Sequence, residues 1–147
     1  AVVTGGVSGL GFAVAKHLIE RGAKVALFDI NDDKGAAAVA ELGAENTRYF
    51  RTDVTDEANV QANLASAKDF LGSLNAAINC AGILGAGRVV GKNGAMPLKQ
   101  FAGTVMVNLV GSFNVAKSAA ELMQHNAPGE DGERGIRSDR PGRVFGI

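Results

Sequence analysis

Ala1–Val2–Val3–Thr4–Gly5–Gly6–Val7–Ser8–Gly9–Leu10–Gly11, running into Phe12–Ala13–Val14, is the stretch on which the fold turns. A short apolar run stops at a glycine-rich turn, and an amphipathic pattern begins at once. Glycine lets the backbone bend sharply and lets a ligand come close. The first N–H groups of the following helix have no partner within it, and the helix dipole favours negative charge there. The stretch therefore reads as a cradle for phosphate. The pattern met is T-G-x-x-x-G-x-G, through Thr4, Gly5, Gly9 and Gly11. The more common G-x-G-x-x-G is not met, because Val14 stands at its last position.

Outward from this turn, strands and helices alternate. Ala1–Val3 reads as a buried strand. Leu10, Val14 and Leu18, at four-residue spacing, predict a helix from about Gly9 to Arg21, closed by Gly22. Lys24–Phe28 is a second strand, ending at Asp29, and Asn31 or Asp32 caps a helix through the alanine-rich Gly35–Leu42. Thr47–Arg51 is a third strand, ending at Thr52–Asp53–Val54. Thr55 is the expected cap of a third helix reaching about Phe70–Leu71, with Val60, Leu64 and Ala67 on one face. Ala76–Ile78 is a fourth strand, leading to Asn79–Gly82.

A glycine-rich loop, Ile83–Gly94, precedes one long helix from roughly Leu98 to His125, with Phe101, Val105, Leu109 and Phe113 as its apolar stripe. Gln124–Gly142 reads as a polar loop, in which Arg134, Arg137, Arg140 and Arg143 are offset by Glu130, Asp131, Glu133 and Asp139. Gly142–Ile147 reads as a fifth strand. This alternation predicts the α/β class: a doubly wound parallel sheet of Rossmann type, with helices on both faces, in a single domain over residues 1–147. The abrupt first and last strands suggest a domain incomplete at both ends, truncated after about five strands.

At 147 residues the chain can bury one real core, and 46% hydrophobic with 20% charged residues is ordinary for a globular domain. Fifteen basic and fifteen acidic residues cancel, which argues against nucleic-acid and membrane-surface partners. One cysteine excludes an internal disulfide framework and fits a reducing compartment. The expected location is cytoplasmic, or mitochondrial if a transit segment preceded Ala1. One cysteine and two separated histidines, His17 and His125, offer no metal-ligand spacing.

Asp29 ends the second strand 18 residues beyond Gly11, close to the ~20-residue offset of an acid that binds an adenosine ribose. A carboxylate there accepts from the ribose hydroxyls and repels a 2′-phosphate. No Lys or Arg lies between Ala1 and Val14 to offset that repulsion, so NAD is expected rather than NADP. Asp53 can accept from an adenine amino group while Val54 packs against the ring; taken alone, Asp53 reads equally as a helix-start residue. Asn79–Cys80–Ala81–Gly82 ends the fourth strand with small residues that leave room for a flat ligand. Cys80, with no histidine nearby in sequence, reads as a small buried residue rather than a nucleophile. Asn108 is a polar amide in an apolar helix and needs a partner. It reads either as a structural amide tied to backbone or as a water-holding residue beside an active site. The expected cofactor-binding set is thus Gly5, Ser8, Gly9, Leu10, Gly11, Asp29, Asp53, Val54, Asn79, Cys80, Ala81 and Gly82, with Asn108 as the catalytic candidate.

Taken together, Thr4–Gly11, Asp29, Asp53–Val54, the N-x-A-G element at Asn79–Gly82 and Asn108 resemble the short-chain dehydrogenase/reductase family in order and spacing, over about residues 1–125. The family's usual N-N-A-G is N-C-A-G here. Short words such as Met96–Phe101, Val107–Val115 and Gly132–Gly135, with the extended loop through Lys92–Gly94, resemble the type II 3-hydroxyacyl-CoA dehydrogenase branch. Some members of that branch act as 17β-hydroxysteroid dehydrogenases (type 10). The resemblance implies NAD-dependent oxidation of a secondary alcohol, an acyl-CoA thioester substrate, a role in fatty acid metabolism and a homotetramer assembled through helix-to-helix packing. It also implies a catalytic Ser followed by Tyr-x-x-x-Lys. This chain has one tyrosine, Tyr49, far upstream of the implied place, with Asp53 four residues on. The expectation is a cofactor-binding half without the Ser/Tyr/Lys half. The alternatives are a non-catalytic NAD-binding module, or a dehydrogenase for a steroid or another alcohol.

Overall fold

The computed structural model describes residues 1–92, 94–127, 135–137, 140–141 and 143–146. Its central strands are apolar on both faces. β1 (Val2–Thr4), β2 (Val25–Asp29), β3 (Thr47–Arg51) and β4 (Ala76–Asn79) alternate their side chains between two cores. Val2, Ala26, Phe28 and Ala77 point one way, and Val3, Val25, Leu27 and Ile78 the other. A strand buried on both faces cannot show polar alternation, and the parallel sheet is the architecture that requires this.

Two helices cover each face. α1 (Gly9–Ile19) and α2 (Asp32–Leu42) pack on the face carrying Val3 and Leu27, through Ala15 and Ala38. α3 (Glu57–Leu71) packs on the opposite face through Val60, Leu64 and Ala67. The hairpin strands β5 (Val90–Gly91) and β6 (Gly94–Ala95) interrupt the loop after β4, and α4 (Leu98–Val105) follows. A π-helical segment, Met106–Gly111, joins α4 to α5 (Ser112–Met123), which lies beside α3 through Val115, Ala119 and Met123.

Beyond α5 the backbone forms a second small antiparallel pair, β7 (Gly135–Arg137) with β8 (Arg140–Pro141), and then β9 (Arg143–Gly146). β9 pairs parallel with β4, Ala76 opposite Arg143 and Asn79 opposite Gly146. The five-stranded sheet has the order β3-β2-β1-β4-β9, all parallel. The chain winds outward from β1 first in one direction and then in the other. This reversal opens a crevice at the carboxyl ends of β1 and β4.

Several local expectations are corrected. Of the expected stripe of α1, Val14 and Leu18 pack against the core beside the buried Gly11 and Ala15, but Leu10 is 68% exposed. Helix α3 is capped by Asp56, whose carboxylate accepts from Asn59 N at 3.0 Å, while Thr55 turns its hydroxyl to Asp53 at 2.7 Å. The long helix is three segments, because the π turn carries i→i+5 spacing. Of its apolar stripe, Phe101, Leu109 and Phe113 are 59%, 66% and 65% exposed. The loop expected over Gln124–Gly142 contains the β7–β8 pair; Pro128, Glu130, Asp131, Gly132, Glu133, Arg134, Asp139, Gly142 and Ile147 lie outside the described residues, as does Asn93.

Candidate functional site

The crevice at the strand ends is a cleft of about 540 Å³, within the usual range for a small-ligand site. Three of its features come from the β1–α1 turn. Gly5 takes a positive φ of 62°, and a Cβ there would meet Ala81 N and Cys80 O at 2.9 Å. Gly11 lies against that turn, and a Cβ on it would stand 2.3 Å from the Gly5 carbonyl oxygen. Only glycines let the first turn of α1 come down on the strand end in this way. Ser8 occupies the cap position of α1 but makes no capping hydrogen bond, and no acid lies in the first turn. The positive end of the helix therefore faces the cleft uncompensated.

Thr4 fixes the floor. Its buried hydroxyl oxygen accepts from Cys80 N at 3.1 Å and from Ala81 N at 3.0 Å, stapling the end of β4 to the end of β1. That staple places Cys80, Ala81 and Gly82 along the cleft. Burial pushes the Cys80 thiol above its ordinary pKa, so it stays protonated and is a poor nucleophile at neutral pH.

At the other end of the cleft Asp29 closes β2, with Oδ1 accepting from Asn31 N at 3.2 Å. Asp53 and Val54 stand on the neighbouring rim. Asp53 Oδ1 accepts from both Thr55 N, at 2.9 Å, and Thr55 Oγ, and its own N–H goes to Asn59 Oδ1 at 2.8 Å. Asp53 thus ties the turn that leads into α3, whose cap is Asp56. Val54 is buried under the π segment: a Cβ on Gly111 would reach its Cγ2 at 2.6 Å, and its carbonyl accepts from Asn114 at 2.9 Å.

Eleven of the twelve expected binding positions line one cleft: Gly5, Ser8, Gly9, Leu10, Gly11, Asp29, Asp53, Val54, Cys80, Ala81 and Gly82. Asn79 does not. It is buried behind the wall, where its amide donates to Ser112 O at 3.3 Å. Alternation explains this: Asn79 is the last paired residue of β4 and faces α5, so the cleft begins one residue later.

Asn108 is also not in the lining. Both ends of its amide bind one residue, Oδ1 accepting from Ile83 N at 2.9 Å and Nδ2 donating to Ile83 O at 3.1 Å. Its amide is tied to backbone, holding the chain just beyond Gly82. The cleft also includes Phe28, Ile30, Thr52, Thr55, Ile83 and Val107, which were not expected. Ile30 and Thr52 directly follow strand ends, and Ile83 follows the Asn79–Gly82 element, signals available in the sequence. Val107 carried none, because a π turn shifts the helical phase that a regular pattern assumes.

Among the described residues no three His, Cys, Asp or Glu side chains gather as a metal cluster, and no helix is long and apolar enough to cross a membrane. The arrangement is an anion cradle, a carboxylate one strand away and a small-residue wall between. It suits an elongated ligand with a central phosphate and a polyhydroxyl end.

Known proteins resemble this chain in sequence and in fold. The family model described as short chain dehydrogenase matches residues 1–131. The chain is 42% identical to the 3-hydroxyacyl-CoA dehydrogenase type-2 of Drosophila melanogaster, over 92% of this chain and 54% of that protein. It is 41% identical to the Homo sapiens protein of the same name, over 92% and 52%. A crystal structure of 3-hydroxyacyl-CoA dehydrogenase type-2 from Mycobacterium avium superposes with a TM-score of 0.82 at 32% identity, covering 91% of this chain and 53% of that one. The chain thus spans about half the length of the relatives it matches. On the match over residues 1–131, the chain belongs to the short-chain dehydrogenase family.

Proposed function

We propose that this chain binds NAD(H) for a dehydrogenase that oxidises a secondary alcohol, with 3-hydroxyacyl-CoA to 3-oxoacyl-CoA as the favoured reaction. The observation that carries the reading is the uncapped start of α1 and the Asp29 carboxylate opening on one cleft. The pyrophosphate would sit over the N–H groups of Gly9, Leu10 and Gly11. The adenosine ribose would reach Asp29, and the adenine would lie by Asp53 and Val54. The nicotinamide would lie toward Cys80, Ala81 and Gly82, whose side chains are small. What NAD supplies when bound is a hydride acceptor for the alcohol carbon. These residues position that acceptor and exclude bulk around it; Asn108 keeps the wall in place through Ile83.

The acyl-CoA substrate is supported by relatives named for that activity at about 40% identity. The Ser and Tyr-x-x-x-Lys that the family resemblance implies are not in these 147 residues. Turnover is therefore assigned to a longer protein that includes this domain. A reading as a non-catalytic binding module draws on the same observation: the single tyrosine, Tyr49, hydrogen-bonds to Asp32 and the Asp29 carbonyl and is unsuited to proton transfer at the nicotinamide end.

The exposed face of Leu98, Phe101, Leu109 and Phe113 supports pairing with a second copy and a homotetramer. The uncharged balance and the single free cysteine support a cytoplasmic or other reducing location. Calorimetric titration of the 147-residue chain with NAD and NADP tests the cofactor reading. NAD should bind at least about tenfold tighter, and Asp29→Asn should remove most of that preference. Failure of both cofactors to bind, or a preference for NADP, would refute it.

A further inference from the structure

The end of the cleft beside Asp29 carries a polar network whose composition is unusual for so exposed a place. β2 and β3 pair in register, so Arg51 stands directly across from Asp29 and leaves the sheet on the same face. A guanidinium so near a ribose-binding carboxylate would be expected to invite a 2′-phosphate. It is turned aside instead. One nitrogen of Arg51 donates to Ile30 O at 2.7 Å and to Asp32 Oδ2 at 2.9 Å.

The other oxygen of Asp32 lies 2.9 Å from the Tyr49 hydroxyl, which is also 2.9 Å from the Asp29 carbonyl oxygen. Tyr49 is held by shape as well: its ring fills the space above Gly35, where a Cβ would stand 2.6 Å away. One carboxylate, Asp32, thus gathers both neighbours of the ribose turn. Both donors also grip that turn's backbone, at Asp29 and Ile30. The ion pair by itself is exposed and weak, so the restraint comes from the shared network rather than from the pair.

We propose that Asp32, acting through Arg51, is a specificity-determining residue that keeps this site selective for NAD against NADP. Asp29 excludes a 2′-phosphate by repulsion. Asp32 does so by occupying the one guanidinium that stands across the sheet from it. Free of Asp32, Arg51 keeps a single backbone carbonyl and can turn a charge-assisted fork toward a 2′-phosphate. The inference rests on the cofactor reading above.

The two fail differently in one experiment. The 147-residue chain and its Asp32→Asn, Tyr49→Phe and Asp32→Asn/Arg51→Ala variants are titrated with NAD and with NADP. Asparagine keeps the shape and the acceptor for Tyr49 but loses the charge that holds Arg51. Asp32→Asn should bind NADP about fivefold tighter and NAD somewhat weaker, and the added Arg51→Ala should cancel the NADP gain. Tyr49→Phe should weaken both cofactors alike, leaving their ratio unchanged.

Equal weakening of both cofactors in Asp32→Asn, or no change in either, would overturn the inference while the cofactor reading stands. Binding of neither cofactor by the unaltered chain would bring down the cofactor reading and this inference with it. A second measurement needs no cofactor. Tyr49, the only tyrosine in the chain, has its pKa pushed up to about 12, by burial first and then by its hydrogen bond to Asp32 and the charges of Asp32 and Asp29. Ultraviolet titration should show it ionising at lower pH in Asp32→Asn. An unchanged midpoint would mean that the network does not form in solution.

Discussion

Three helices start at the same end of the sheet, and one differs from the other two. α2 is capped by Asn31, whose Oδ1 accepts from Lys34 N at 3.0 Å, and has Asp32 and Asp33 in its first turn. α3 is capped by Asp56 and has Glu57 behind it. α1 has neither device: Ser8 makes no cap bond and its first turn holds no acid. A capping side chain is worth about 1 kcal/mol and a first-turn acid some tenths more. α1 forgoes both, and it is the helix whose start opens on the cleft. The stability it lacks when free is available to an anionic ligand, which can satisfy the same N–H groups. The capped helices are finished parts of the scaffold; α1 is finished only by what it binds.

The strongest way to break this contrast is at Gly11. Gly11→Ala puts a methyl group 2.3 Å from the Gly5 carbonyl oxygen, an overlap with backbone that cannot swing aside. NAD binding should be lost, and urea unfolding should show a stability loss of about 2–3 kcal/mol. Unchanged binding would mean that the first turn of α1 is not the cradle.

A subtler test converts α1 into a helix like its neighbours. Ser8→Asp gives it both a cap and a charge. Thermal unfolding of the free chain should show a gain of about 1 kcal/mol, while calorimetry shows NAD affinity reduced at least about tenfold. Opposite signs for stability and binding are the signature of a helix start reserved for an anion. The reciprocal change is Asp56→Ala in α3. It should cost about 1 kcal/mol of stability in the same unfolding measurement and leave NAD affinity within about twofold.

The smallest effect concerns Cys80. Its raised pKa means little thiolate at neutral pH, with reactivity rising only as pH climbs past the ordinary thiol range. Alkylation followed by mass spectrometry should be slow at neutral pH, faster in alkali, and slowed further by NAD, because Cys80 lines the cleft. Rapid labelling indifferent to NAD would move the nicotinamide end elsewhere.

Much of this could be read from particular residues. Thr4, Gly5, Gly9 and Gly11 carry the turn in their own chemistry, since only glycine tolerates the backbone angle at Gly5 and the approach at Gly11. Asp29 is marked by its place at the end of an apolar run. These signals are local, and local constraints are written into sequence directly. The misplacements share another cause. Asn79 and Cys80 are adjacent, and only strand pairing decides which of them faces the cleft. Thr55 and Asp56 both qualify as caps, and the hydroxyl of Thr55 was taken by Asp53. The partner of the Asn108 amide, Ile83, stands 25 residues away and could not be read from the helix pattern.

The sequence by itself determined the strand–helix alternation, the anion-binding turn and the acid that follows the second strand. Each depends on residue type and spacing within one βαβ unit. Tertiary structure alone decided the order β3-β2-β1-β4-β9 and the staple from Thr4 to Cys80 and Ala81. It also decided the π turn above Val54 and the network that joins Arg51, Asp32 and Tyr49 beside Asp29. Those features join residues from roughly 20 to 80 positions apart. A hydrogen bond or a close approach between such residues exists only once the sheet has brought their strands side by side.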